Sequence, residues 1–136
     1  MKTIFLDSSV LFSAINSPTG GSAKLFVTKG IKLVSSKVVL TEVERNVRKK
    51  LASYQLERMF LLFGQFTILP QRPNKALIRK AKAIIVEKDA VILAEAKQAK
   101  IDILATLDKK HFLTKAAQAF LQPQKILTPK MILDRR

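Results

Sequence analysis

Cysteine is absent from this sequence, histidine occurs once, and acidic residues are few: 10 Asp and Glu stand against 25 Lys and Arg. Without cysteine there is no disulfide, no thiolate zinc site and no cysteine nucleophile. That fits a reducing compartment. Linkers, repeats and low-complexity segments are also missing. Beyond the N-terminal stretch, no apolar run exceeds that of residues 59–63, far too short to span a bilayer. The opening MKTIFLDSSVLFSAI imitates a secretory signal, but Asp7, Ser8 and Ser9 interrupt its apolar stretch. A cytoplasmic protein with no membrane span is therefore expected.

What is present suits one domain over residues 1–136. The chain is 48% hydrophobic and 26% charged, enough apolar material for one continuous core. The scarcity of acids leaves a formal net charge of +15. Such a field draws polyanions and speeds their encounter. Lys and Arg are spread through most segments rather than gathered on one amphipathic helix. Nucleic acid, not a membrane surface, is the expected partner.

Short apolar runs alternate with helical patterns, which implies a parallel sheet with helices on both faces. Strands are expected at residues 3–6, 31–34, 66–69, 101–106 and 125–127. Helices are expected over 8–16, 22–28, 37–52, 54–63, 74–86, 89–99 and 110–120. Val39, Val43, Val47 and Leu51 share one face of the third, and Ile92, Leu93 and Ala96 one stripe of the sixth. Pro18, Gly20-Gly21, Gly30, Gly64 and Pro70 punctuate the pattern. Thr128-Pro129 supplies an N-cap followed by proline at the first helical position.

The few acids fall suggestively. Ligands of an open parallel sheet sit beyond the carboxyl ends of the strands, where strand order reverses. Asp7 follows the first strand directly and Asp108 follows the fourth by two residues. If those strands are neighbours, the two carboxylates face each other. Asp89 begins the helix that leads to the fourth strand, and Glu42 lies near the start of the helix after the second. Both belong to the same edge. Asp102 opens the fourth strand, on the order of 20 Å from Asp108 at roughly 3.3 Å per residue, so it belongs to the opposite edge. Glu87 and Glu95 read as solvated charges, and Asp134 carries no role.

Taken singly, Asp7, Asp89 and Asp108 read as helix caps or first-turn acids, and Glu42 as a surface charge with Glu44 competing for its place. Together they repel one another unless something positive lies between them. Carboxylates with no cysteine and one histidine favour Mg²⁺ or Mn²⁺ over zinc. Such a site suits phosphodiester hydrolysis. Ser8, Ser9 and Thr106 flank Asp7 and Asp108, where their hydroxyls could orient the carboxylates; the alternatives are that Ser8 simply begins a helix and that Thr106 is a β-branched strand residue. Lys109 and Lys110, beside Asp108, and Arg45 are candidates for phosphate contact. His111 reads as a surface or packing residue. The stripe Leu56, Met59, Phe60 and Phe63 reads as core or a self-association face, with a lean to the latter.

LDSSVLFSAI resembles the opening of PIN-domain proteins, where a strand ends in Asp followed by a small polar pair. SPTGGSAKLF resembles the next turn and helix of the toxin-like branch, and TEVERNVRKKL the helix bearing the second acid. DAVILAEAKQAKIDILATLDKKHF is the strongest match, with a third Asp, an Ala-rich helix, a strand and a Thr-x-Asp ending. LTPKMIL resembles the family's closing Thr-Pro segment. The resemblance covers nearly the whole chain. It implies a 3-2-1-4-5 parallel sheet, RNA cleavage dependent on Mg²⁺ or Mn²⁺, and frequent homodimers. It also implies pairing of VapC-like members with an antitoxin. The acids it carries over are Asp7, Glu42, Asp89 and Asp108. Leu107 departs from it, since relatives more often place a smaller or polar residue there.

Two other functions fit the residues. One is a non-catalytic module of the same fold that binds RNA through its positive charge. The other is a phosphoryl-transfer domain with Asp7 as nucleophile, although the haloacid-dehalogenase-like kind wants an Asp where Ser9 stands.

Overall fold

Side chains of a strand alternate between the two faces of its sheet, so a strand whose consecutive residues are all buried must be covered on both sides. Ile4, Phe5 and Leu6 are all fully buried. They end β1 (Lys2–Leu6), the middle strand of the sheet. The computed structural model describes residues 1–70 and 74–135. From β1 the chain continues through α1 (Ser8–Asn16), α2 (Gly21–Leu25), β2 (Ile31–Ser35), α3 (Lys37–Lys50), α4 (Ser53–Phe63) and β3 (Thr67–Ile68). It ends with α5 (Lys75–Lys82), α6 (Glu87–Ala99), β4 (Ile103–Ala105), α7 (Lys115–Leu121), β5 (Lys125–Leu127) and α8 (Pro129–Asp134).

The five strands are parallel in the order β3-β2-β1-β4-β5. The expected α/β architecture and strand order are both present. Phe5 pairs with Val34 on one side and Leu104 on the other, so the ends of β1, β2 and β4 lie level. The reversal of strand order falls between β1 and β4, the two strands that precede Asp7 and Asp108.

Helix faces follow the apolar spacing. Val39, Val43 and Val47 are fully buried along α3, and Ser36 caps it by accepting the Val39 N–H at 3.3 Å. The α6 helix is buried almost all round, with Ala90, Ile92, Leu93, Ala94 and Ala96 inside. Its alanines let it lie close against neighbouring elements. The Thr128 cap and Pro129 open α8 as expected, with Thr128 accepting from the Met131 N–H at 3.2 Å. Among the described residues no helix is long and apolar enough to cross a membrane.

Several expected boundaries move. The helix expected over 74–86 stops at Lys82, and Val86 instead caps the start of α6; Ile85 turns into the core at this break. The helix expected over 110–120 begins only at Lys115, where Thr114 caps it by accepting the Ala117 N–H. The residues before it form turns around Asp108, anchored by the fully buried Phe112. The third strand shrinks to Thr67–Ile68, as suits an edge. In the α4 stripe Met59 is fully buried, Leu56 and Phe63 pack on the core, and Phe63 meets Phe66 edge-on at 5.9 Å. Only Phe60 of that stripe is exposed.

Candidate metal and nuclease site

Because β1 ends level with β4, the residues that follow both strands meet. Asp7 donates its backbone N–H to Ala105 O at 3.0 Å, which fixes the turn out of β1. Its carboxyl then caps α1: Oδ1 accepts the Ser8 N–H at 2.7 Å. The other oxygen, Oδ2, accepts from Ser9 Oγ at 2.7 Å and from Thr106 Oγ1 at 2.8 Å. Ser9 Oγ in turn accepts the Leu107 N–H, and Thr106 Oγ1 accepts the Asp108 N–H at 3.1 Å. The hydroxyls of Ser9 and Thr106 therefore tie Asp7 to the loop carrying Asp108. Ser8 contributes chiefly its backbone, its hydroxyl lying 3.4 Å from Oδ1. Leu107 is exposed beside this loop.

Asp89 occupies the first turn of α6 and is buried. Its Oδ2 has no hydrogen-bond partner among the described residues. Burial is the main reason its carboxyl is pushed up to about 6; the nearby charges of Asp7 and Asp108 add to this, while Lys88 and His111 oppose it. Asp108 is shifted the other way. Burial pushes it up, but the side-chain and backbone hydrogen bonds from His111, with the charges of His111 and Lys88, outweigh that and hold it below the usual carboxylate range. The geometry is close: His111 Nδ1 lies 2.8 Å from Asp108 Oδ2, and the His111 N–H reaches Oδ1 at 3.1 Å.

Asp89, Asp108 and His111 each offer a ligand atom within 4.8 Å of the others. A buried carboxylate oxygen without a donor is costly unless a cation takes the donor's place. Two carboxylates and one imidazole at this spacing could hold a divalent cation. Asp7 stands near enough to act on Asp89 electrostatically, but both its oxygens are engaged by hydroxyls and a backbone N–H.

Glu42 is not a member of that trio. It is half-buried in α3, makes no hydrogen bond or ion pair among the described residues, and lines an open groove of about 730 Å³ with Arg45 and Lys88. Glu44 instead pairs with Arg48 at 3.0 Å. Lys109 and Lys110 are exposed beside Asp108. Asp102 is at the opposite edge, its Oδ2 accepting the Thr3 N–H at 2.8 Å.

Two expectations need correction. His111 is not a stray surface or packing residue: the turn that replaces the expected helix start places it against Asp108. Its spacing of three from Asp108 was the available signal. Glu95 is not solvated. It is buried, and Ser36 donates to its Oε1 at 2.7 Å, while burial raises its carboxyl above the usual range. Lys88 also escaped notice, although it immediately precedes Asp89.

The family described as PIN domain matches residues 4–118. No curated protein sequence matches significantly. Among solved structures, a DNA-bound VapBC complex from Salmonella typhimurium includes a chain with a TM-score of 0.72 at 14% identity, covering 95% of this chain and 99% of that one. VapBC2 from Rickettsia felis, bound to a promoter DNA fragment, gives 0.70 at 17% identity, covering 93% and 98%. VapC20 from Mycobacterium tuberculosis, a toxin that cleaves the sarcin–ricin loop, gives 0.61 at 15% identity, covering 79% and 91%.

Proposed function

The chain belongs to the PIN-domain family, and from that premise we propose that it is a divalent-metal-dependent endoribonuclease that hydrolyses RNA phosphodiester bonds. The observation that carries this reading is that Asp89, whose buried Oδ2 has no partner among the described residues, joins Asp108 and His111 in a trio whose ligand atoms lie within 4.8 Å of one another.

Asp89, Asp108 and His111 are the groups that would hold Mg²⁺ or Mn²⁺. When bound, such an ion supplies Lewis acidity toward the attacking water and the leaving oxygen. The chain's own residues do the rest. His111 fixes the orientation of the Asp108 carboxyl through two hydrogen bonds and favours its charged form. Asp7 adds negative charge beside Asp89 and, through Ser9 and Thr106, holds the loop that carries Asp108. Glu42 faces the adjoining groove, where it is free to meet a second ion or a water. Arg45, Lys109 and Lys110 offer cations to the phosphate backbone.

The toxin role within a toxin–antitoxin pair is part of the same reading. It is supported by the likeness of the whole fold to chains of VapBC complexes. A protein antitoxin and a homodimer are the partners it implies.

RNA cleavage by the purified protein with Mn²⁺, compared with Asp89→Asn and Asp108→Asn, tests the mechanism. Loss of cleavage in both variants, with folding intact, is the expected result. Cleavage at the wild-type rate by both would reject it. RNA binding without cleavage under any divalent cation would instead favour a non-catalytic module, which the net charge of +15 also suits.

A further inference from the structure

The groove beside Glu42 carries a charge arrangement that the acidic centre alone does not explain. Along α3, Lys37, Thr41, Arg45 and Lys49 follow one another four residues apart, and all four line this groove. Residues at that spacing form one stripe on a helix. It runs about 18 Å at 1.5 Å per residue, on a different side from the buried Val39, Val43 and Val47. Lys50 and Lys88 complete the cationic lining.

None of these five cations enters an ion pair among the described residues, whereas Arg48 on the flank is neutralised by Glu44. Like charges four apart on a helix repel. Lys37 also sits in the first turn, where the helix dipole disfavours a cation and where no acid offsets it. Lys49 and Lys50, in the last turn, are favoured by the same dipole, whereas Lys37 and Arg45 are not placed by it. An unpaired cationic row opening onto a groove suits a partner that brings evenly spaced negative charge. Lys88 joins the row to the acidic centre, because it faces the groove while its charge also acts on Asp89 and Asp108.

We propose that this groove is the track for a single RNA strand on one side of the cleaved bond, with Arg45 and Lys49 holding successive phosphates and Lys88 the phosphate next to the reacting one. The proposal rests on the ribonuclease reading for its destination, but its hold on the strand can be tested apart from cleavage.

The test is binding of a fluorescently labelled single-stranded RNA to Asp108→Asn protein without divalent metal, over a range of salt. Each cation removed from a phosphate of a single strand lowers the slope of log affinity against log salt by roughly 0.7. Arg45→Gln with Lys49→Gln should therefore reduce it by roughly 1.4. Lys2→Gln with Lys125→Gln, at the opposite edge of the sheet, should leave it unchanged. Lys88→Gln in the active background should lower kcat, and Lys88→Arg should restore it. An unchanged slope for the groove pair, or an equal fall for both pairs, overturns the track in favour of a diffuse field. Normal RNA binding by groove variants that no longer hold a protein antitoxin also overturns it. If the slopes behave as expected while the wild type cleaves nothing, the track stands and the nuclease reading falls.

Discussion

Thr106 Oγ1 stands 2.8 Å from Asp7 Oδ2 and donates its proton there, while accepting the Asp108 N–H at 3.1 Å. One buried hydroxyl thus joins the ends of two neighbouring strands and both of their acids. Thr106→Val keeps the shape and removes this link. Losing a buried hydrogen bond to a charged group costs about 1.5–3 kcal/mol, so thermal melting should fall by several degrees. Cleavage should fall further than stability does, because the Asp108 loop loses its anchor. Thr106→Ser should recover most of both, as measured by calorimetry and RNA cleavage side by side.

The raised carboxyl of Asp89 makes the metal-free protein sensitive to pH in a defined direction. Between the ordinary carboxyl range and about 6, the folded chain keeps a proton that the unfolded chain has released. Stability contributed by this group is present below that window and is lost as pH rises through it. Melting temperature should rise on going from pH 7 to pH 5, and by less in Asp89→Asn. Metal must displace the same proton. Mn²⁺ affinity should be about tenfold weaker at pH 5 than at pH 7, following the fraction of charged carboxylate. A pH-independent affinity would contradict the assignment.

His111→Gln should leave the fold intact, since the ring is about one-third exposed. It removes a candidate ligand that also orients Asp108 and favours its charged form. Loss of a group that orients a metal ligand typically weakens binding 10–100-fold. A Mn²⁺ titration of the variant is the measurement, and full wild-type affinity would exclude His111 from the site.

Glu95 and Ser36 form a buried pair that can be separated by mutation. Ser36→Ala loses the cap of α3, worth about 1 kcal/mol, and leaves Glu95 Oε1 without its donor. Glu95→Gln retains an acceptor for Ser36 and removes a buried charge. Its stability at pH 7 should equal or exceed that of the wild type, with a flatter dependence on pH. Chemical denaturation at two pH values distinguishes these outcomes.

The strand-to-acid relationship was legible in the sequence because it depends on chain order. Asp7 and Asp108 each follow an apolar run, and a parallel sheet sends both ends to one edge. Asp102 was assigned to the other edge by the same logic. What stayed hidden depends on tertiary partners. Glu95 meets Ser36 from 59 positions away, and nothing local marks that meeting. His111 lay inside a segment expected to be helical, whereas Asp108 bends it into turns and Thr114 postpones the helix. The α4 stripe divides in the structure, because large apolar groups at helical spacing look alike whether they enter the core, like Met59, or stay exposed, like Phe60. Lys88 carries no pattern of its own; the groove alone reveals its position between α3 and the acids.

The central strand of the sheet, β1, precedes its neighbour β4 by nearly a hundred residues. A chain still leaving the ribosome carries Asp7 but not the loop that presents Asp108. Until β4 has emerged and paired, the pocket has no second wall, and a cation would find Asp7 without the Asp108 loop. Strand topology thereby makes assembly of the acidic pocket wait on the pairing of strands far apart in the chain.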